Sequence, residues 1–255
     1  MNASILDSPA ISGCYLFPQR RRIPDPMMID VGGAQLACHH HVSDPDNLTL
    51  VHFHGNGEVV ADYVPGMVDE LTRLGLNSLF VEYREYGDST GTAQLVAMLG
   101  DGQRVLEAVG LQPGEVIVFG RSIGSLYAIE LAHRHPDIGG MILESGIAAP
   151  GERFLAYADL RAAGIDEAEV MAEVKRHFDH RTKLWGYRQP LLIMHCEQDD
   201  LVDISHAERN HKWARGYKLL RRFRDGNHNS IMMANYAEYF QSIKSFAKLV
   251  AAEPN

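Results

Sequence analysis

The sequence has little of what marks secreted, membrane-spanning or nucleic-acid-binding proteins. Three cysteines in 255 residues, without metal-type spacing, favour reduced thiols over a disulfide framework. No segment approaches the ~20 apolar residues that cross a bilayer, and the N-terminal residues have neither the basic nor the apolar region of a signal peptide. The formal charge of −9 opposes nucleic acid and anionic membranes as partners. We therefore expect a cytoplasmic protein with no nucleic-acid partner and no membrane span; no feature indicates an oligomeric state.

The chain also lacks linkers, internal repeats and low-complexity segments, which favours a single domain over residues 1–255. Short β-type runs alternate with helical segments, and this predicts an α/β fold: a mostly parallel, doubly wound sheet of about eight strands with helices on both faces. The predicted strands are residues 14–20, 35–41, 48–53, 78–83, 116–119, 141–143, 191–195 and 218–223. The main predicted helices are residues 60–74, 92–109, 122–133, 204–214 and 231–249.

One interval, at about residues 149–188, is too long for a simple crossover between strands. It contains two helical patterns, residues 152–163 and 166–178. An insertion at this place would overhang the carboxyl edge of the sheet, where ligands bind in such folds, and this favours a small helical lid. An ordinary surface helical hairpin fits the pattern equally well.

Residues 115–128, EVIVFGRSIGSLYA, indicate a buried strand that turns abruptly into a helix with a serine at the corner. Gly120 and Gly124 lack Cβ atoms, so strand and helix can approach closely while Ser122 sits in a strained turn with its hydroxyl exposed. The pattern predicts Ser122 as a nucleophile.

A second match to the same pattern, GDSTG at residues 87–91, centres on Ser89. The strand before it ends several residues early, and a polar loop intervenes. We interpret Ser89 as a loop or helix-capping serine.

A serine hydroxyl is a poor nucleophile at neutral pH, so Ser122 needs a base and a carboxylate that orients the base. Several carboxylates follow the strand at residues 191–195. Asp199 is favoured because it lies past the strand end and before an apolar pair; Asp200 is the runner-up. Asp203 is predicted to cap the next helix.

The base is expected after the last strand, where a Gly/Asn loop at residues 224–230 contains His228. The order Ser122, Asp199, His228 is nucleophile, acid, base, the order associated with this sheet topology.

Acyl transfer also requires donors for the negative oxygen of the tetrahedral intermediate. The backbone N–H of Ile123 begins the helix after the predicted nucleophile and points at the site. A second donor is predicted in the turn HGNGE, residues 54–58, through the N–H of Asn56. The alternative is a plain strand-to-helix turn.

The 13 histidines raise the question of a metal site. His39, His40 and His41 alternate between the faces of a strand and cannot all bind one metal. His52 and His54 share a face, but no carboxylate cluster accompanies them. We expect neither a metal nor a cofactor.

The segments VHFHGNGE, VEYREYGDSTG, FGRSIGS, HCEQDDLV and GNHN give the chain a resemblance to the α/β-hydrolase superfamily over essentially its whole length, and above all to its compact bacterial serine hydrolases. The resemblance implies Ser122 as nucleophile, Asp199 as acid and His228 as base, with oxyanion N–H groups from Asn56 and Ile123. Two positions depart from the usual pattern: Glu85 in YREYG and Cys196 in HCEQDD. Glu85 would add negative charge to the pocket rim, which Arg121 would offset.

The leading functional hypothesis is a serine hydrolase that cleaves a small carboxylic ester or thioester through an acyl-enzyme intermediate. A serine peptidase or amidase of the same fold is one alternative. A non-catalytic binding module with a vestigial triad is another.

Overall fold

The computed structural model describes residues 3–252 and contains an eight-stranded sheet in the order β1-β2-β4-β3-β5-β6-β7-β8. The strands are β1 (Met27–Asp30), β2 (Gln35–His41), β3 (Thr49–Phe53), β4 (Asn77–Val81), β5 (Val116–Arg121), β6 (Gly140–Glu144), β7 (Leu191–Cys196) and β8 (Lys218–Phe223). β1 and β2 pair antiparallel, β2 joins β4 antiparallel, and the pairings from β4 through β8 are parallel. The predicted α/β sheet, mostly parallel, is confirmed.

Helices cover both faces of this sheet, as the fully buried central strands β3 to β7 require. The α-helices are α1 (Ser12–Tyr15), α2 (Val64–Arg73), α3 (Asp101–Val109), α4 (Gly124–Arg134), α5 (Pro150–Tyr157), α6 (Leu160–Ala163), α7 (Glu167–Phe178), α8 (His180–Gly186), α9 (Ser205–Trp213), α10 (Ile231–Ala234) and α11 (Tyr236–Ala252). Short 3₁₀ helices occupy Ile5–Asp7, Val60–Asp62, Ala97–Gly100 and Pro113–Glu115.

The central strand β5 shows how the core is divided. All six of its residues are buried. Val116 and Val118 pack into the apolar cluster on one face, while Ile117 and Phe119 pack into the cluster on the other. This alternation follows from the period of two of a strand with both faces covered.

The predicted edge strand at residues 14–20 is wrong. Its first two residues lie at the end of α1, the rest of the segment is not a strand, and the edge strand is instead Met27–Asp30. Tyr15 packs its ring 5.0 Å from that of Phe154, so the apolar residues here contact a helix rather than continue the sheet. β1 escaped prediction because it is exposed except at Ile29 and shows no clean alternation.

Two predicted helices are interrupted. Pro65 and Gly66 have non-helical backbone angles near the start of α2, so the segment divides after the 3₁₀ turn at Val60–Asp62. The C-terminal helix divides at Asn235, between α10 and α11. Pro65 and Gly66 explain the break in α2, because proline lacks the N–H that a helix needs and glycine lacks a side chain that would favour helical angles.

Residues 149–188 form four short helices, α5 to α8, rather than two. The Asp166 carboxylate caps α7 by accepting the N–H of Ala168, as the sequence predicts. α5 follows the carboxyl end of β6 after a connection of five residues, 145–149.

Within residues 3–252, no helix is both long and apolar enough to cross a membrane. All three cysteines are free; Cys38 and Cys196 are buried, whereas Cys14 is exposed.

Candidate active site

Ser122 occupies the sharp turn between β5 and α4, with a left-handed φ of 51°. A Cβ on Gly124 would lie 2.1 Å from the carbonyl oxygen of Phe53, and one on Gly120 would lie 2.7 Å from Cβ of Ala128. Both glycines are therefore required sterically, and the turn has the tight strand-to-helix geometry that the motif predicts.

A hydrogen-bonded relay connects Ser122, His228 and Asp199. Oγ of Ser122 lies 2.9 Å from Nε2 of His228. Nδ1 of His228 lies 2.8 Å and 3.0 Å from the two carboxylate oxygens of Asp199. The structure thus brings together three residues that come from the carboxyl ends of β5, β7 and β8, and the arrangement can activate a hydroxyl for nucleophilic attack.

The Asp199 carboxylate is held by its own loop as well as by His228. One of its oxygens accepts the backbone N–H groups of Val202 at 2.7 Å and Leu201 at 3.0 Å. Burial alone would raise the pKa of Asp199, but the hydrogen bonds with His228 and Val202 outweigh burial and lower the pKa to about 2. Asp199 is therefore ionised throughout the neutral range.

The competing carboxylates lie elsewhere. Asp200 is exposed, and within residues 3–252 its side chain forms no ion pair or hydrogen bond. Asp203 accepts the N–H of Ser205 at the start of α9, which is the predicted capping role. Ser89 is buried, and its Oγ accepts the N–H of Ala37 on β2, a structural contact.

The two predicted oxyanion donors, Asn56 and Ile123, line one cavity together with Ser122 and His228. Neither backbone N–H donates to a carbonyl in the part of the chain that the structure describes. The side chain of Asn56 is fixed: Oδ1 accepts the N–H of Phe17 at 2.9 Å and the hydroxyl of Tyr86 at 3.0 Å, and Nδ2 donates to the carbonyl of Tyr15. This loop is therefore rigidly positioned beside Ser122.

A buried ion pair supports the same loop. Nε2 of His54 lies 2.7 Å from the Glu82 carboxylate, and Nδ1 lies 2.8 Å from the carbonyl of Gly55. Because both ring nitrogens face acceptors, the geometry favours an imidazolium ion. Burial opposes this charge, but Glu82 outweighs it, and the pKa of His54 is raised.

A second buried network lies under the relay. Arg121 forms ion pairs with Glu58 at 2.9 Å and with Glu144 at 3.3 Å, and it donates to the carbonyl of His228 at 3.2 Å. Burial raises the pKa of Glu144, and Arg121 opposes the rise. Arg121 therefore does not offset Glu85, whose carboxylate instead accepts the N–H of Ala93 away from the cavity.

Sequence reasoning missed part of the cavity wall. The cavity has a volume of about 140 Å³ and is lined partly by Tyr15 and Phe17 from the N-terminal segment and by Arg153 and Tyr157 from α5. The aromatic residues at positions 15 and 17 are the sequence signal for this wall, but the strand predicted at residues 14–20 places them in the sheet instead.

Within residues 3–252, no group of three or more His, Cys, Asp or Glu side chains has the arrangement of a metal site. His52 is packed among aromatic rings, at 4.4 Å from Tyr63 and 5.0 Å from Phe119 between ring centroids. Burial lowers its pKa well below the usual range, so it is a neutral core residue.

Comparison with known proteins places the chain in a family. Residues 44–174, about half of the chain, match the family described as serine aminopeptidase, S33. The chain belongs to this family. It is thus an α/β-hydrolase, which confirms the resemblance seen in its sequence motifs.

The similar curated proteins are α/β-hydrolases too. Over 211 residues, the chain is 26% identical to the alpha/beta hydrolase domain-containing protein 17C of Xenopus laevis, covering 78% of this chain and 60% of that protein. Over 228 residues, it is 25% identical to the human protein 17B, covering 84% of this chain and 71% of that one. The hydrolase thus spans less than two thirds of the length of the frog relative.

Solved structures of esterases share the fold. Est1E from Butyrivibrio proteoclasticus, solved with bound ferulic acid, superposes with a TM-score of 0.74 at 17% identity, over 89% of this chain and all of that one. The esterase Pf2001 from Pyrococcus furiosus gives a TM-score of 0.70 at 16% identity, over 91% of this chain and 98% of that one.

Proposed function

We propose that the hydrolase cleaves a carboxylic ester or thioester through an acyl-enzyme at Ser122. The single observation that carries the proposal is the relay from Oγ of Ser122 to His228 to Asp199, with contacts of 2.9 Å and 2.8 Å. Such a relay removes the hydroxyl proton during attack, which an isolated serine cannot achieve at neutral pH.

In the proposed reaction, Oγ of Ser122 attacks the carbonyl carbon and Nε2 of His228 takes its proton. The tetrahedral intermediate collapses, the bond to the alcohol or thiol breaks, and His228 returns the proton to the leaving group. Water then attacks the acyl-enzyme with His228 again as base, releasing the carboxylic acid and restoring Ser122. Asp199 stabilises the imidazolium of His228 that forms during both acylation and deacylation.

The N–H groups of Asn56 and Ile123 are the proposed oxyanion donors. They line the cavity beside Ser122 and have no carbonyl acceptor in residues 3–252, so both are available to a developing negative oxygen. Loss of one such donor costs about 3 kcal/mol of transition-state stabilisation.

The size of the cavity favours short acyl groups. Its volume of about 140 Å³ is smaller than the cavities that enclose drug-sized ligands. We infer that residues 149–188 form a lid within a single domain, because Arg153 and Tyr157 of α5 form part of the cavity wall.

A peptidase or amidase is the second candidate, favoured by the name of the matching family. An aminopeptidase binds the positively charged amino group of its substrate, and this calls for a free carboxylate. Glu58 lines the cavity, but its carboxylate already binds Arg121, the N–H of Gly55 and the hydroxyl of Tyr63. The site therefore favours esters. A vestigial binding module is disfavoured because all three relay residues are in contact.

A substrate panel tests the proposal. Chromogenic esters of increasing acyl length, the matching thioesters and aminoacyl anilides are compared on the wild type and on Ser122→Ala. We expect turnover of short esters or thioesters that falls about 10⁴-fold or more in Ser122→Ala. Preferential turnover of the anilides would indicate a peptidase, and no Ser122-dependent turnover of any substrate would overturn the catalytic assignment.

A further inference from the structure

Arg153 is a cation in the wall of the cavity that contains Ser122. It lies on α5, is half-buried, and its Nε is buried without any hydrogen-bond partner in the described residues. Nη2 donates a hydrogen bond of 3.4 Å to the hydroxyl of Tyr157, and the guanidinium carbon lies 5.6 Å from the centroid of that ring. The guanidinium also forms a hydrogen bond with the hydroxyl of Tyr15. Within residues 3–252, the guanidinium thus meets neutral tyrosine hydroxyls and no carboxylate, and its Nε–H has no acceptor.

The other arginine of the cavity, Arg121, differs from Arg153 in that carboxylates balance its charge. Arg121 is neutralised by Glu58 and Glu144. Arg153 forms no ion pair within residues 3–252, and the neighbouring Glu152 pairs with Arg209 at 2.9 Å instead. Arg153 therefore gives the cavity an uncompensated positive charge.

The surroundings of Arg153 make that charge consequential. Tyr15 is buried beside it; burial raises the pKa of Tyr15 to about 12, and Arg153 opposes the rise. A guanidinium N–H left unbonded between aromatic side chains costs free energy, which an incoming acceptor would recover. Because the whole protein carries a net charge of −9, an anionic ligand would need such a local cation.

We propose that Arg153 binds an anionic oxygen group carried by the substrate, so that the preferred substrates are esters or thioesters whose acyl part ends in a carboxylate. The planar guanidinium fork matches a carboxylate with two parallel hydrogen bonds. This inference rests on the proposed hydrolase function and assigns Arg153 to substrate binding, not to the chemical step.

Steady-state kinetics with paired esters test the inference. The probes are p-nitrophenyl hemiglutarate and its neutral methyl ester, and, for charge on the leaving group, 4-carboxyphenyl acetate and phenyl acetate. A charged hydrogen bond is worth about 1.5 to 3 kcal/mol, or about 10- to 100-fold in binding. We expect Arg153→Met to lower kcat/KM for hemiglutarate by that factor, through KM, with the neutral ester changed less than about threefold.

Two further variants make the test decisive. Arg153→Lys keeps the charge and should retain part of the preference, whereas Arg161→Met, an exposed arginine of α6, should match the wild type. An equal loss on charged and neutral esters, no wild-type preference for the hemiglutarate, or a preference only for the charged leaving group would overturn the inference. In each of those cases, turnover that disappears in Ser122→Ala leaves the hydrolase proposal intact; turnover that persists in Ser122→Ala overturns both.

Discussion

Nδ1 of His228 lies 2.8 Å from the carboxylate of Asp199, although 29 residues separate the two along the chain. Because the carboxylate is ionised and also accepts two backbone N–H groups, it fixes both the orientation and the tautomer of the imidazole. Several measurable consequences depend on this contact and on the buried groups around it.

Asp199→Asn should lower kcat by about 10⁴-fold, because an amide in this position can favour the wrong tautomer of His228. KM should change little, since Asp199 does not line the cavity. Steady-state kinetics on a short chromogenic ester measure both values. Asp200→Asn is the matched control: it removes an exposed neighbouring carboxylate and should stay within about twofold of the wild type. Loss of activity in Asp200→Asn with activity kept in Asp199→Asn would reverse the assignment.

The buried pair of His54 and Glu82 predicts a pH dependence of stability. The folded pKa of His54 is raised, so its contribution is fully present below the unfolded pKa of about 6.5 and is lost as the pH rises through the folded value. Buried histidines with a lowered pKa, such as His206 at about 4, have the opposite effect: they lower the free energy of unfolding as the pH falls below about 6.5.

Urea unfolding as a function of pH measures the effect of His54. The free energy of unfolding should decline above about pH 6.5 in the wild type, and this component should be absent from His54→Gln. His133→Gln, at the exposed end of α4, should keep the wild-type profile. A profile of His54→Gln parallel to that of the wild type would show that the pair is not ionic.

Most of the fold follows from local sequence patterns, and so do the positions of the relay residues. β8 was predicted with its observed limits, and β7 to within one residue, because each is a short strand bounded by polar turns. Ser122 and His228 were identifiable because each follows a strand in a glycine-containing loop.

The buried ion pairs around the site were not predictable in this way. Arg121 meets Glu144 because β5 and β6 pair in a register that places these two residues side by side. Glu58 joins them from the turn after β3. No short window of sequence determines strand register or long-range packing. The contact of Tyr15 with α5 is also long-range, so the apolar residues at 14–20 were assigned to a strand.

The Asn56 side chain predicts a positioning effect on catalysis. Asn56→Ala removes its hydrogen bonds to residues 15, 17 and 86 while leaving the proposed N–H donor in place. Because the donor would then be less precisely placed, kcat should fall about 10- to 100-fold with little change in KM. Tyr86→Phe removes one of these bonds and should have a smaller effect. Kinetics indistinguishable from wild type in Asn56→Ala would exclude this loop from the oxyanion site.

Arg121→Met should destabilise the protein strongly, because it leaves the buried Glu144 and the half-buried Glu58 without their cation. Breaking a buried ion pair in this way costs about 3 kcal/mol or more. Adding Glu144→Gln to the same variant should recover part of the loss, since it removes one unpaired charge. Chemical denaturation measures the free energy of unfolding of the wild type, Arg121→Met and the double variant. Arg134→Met breaks a more exposed pair with Glu130 and should cost less than about 1 kcal/mol; equal losses in the two arginine variants would contradict the network.

Covalent labelling tests the central claim most directly. A fluorophosphonate reacts with an activated serine hydroxyl, and intact-mass spectrometry counts the adducts. The wild type and Ser89→Ala should each gain one adduct, mapped to Ser122 by peptide fragmentation, and Ser122→Ala should gain none. Labelling that persists in Ser122→Ala and disappears in Ser89→Ala would contradict the account.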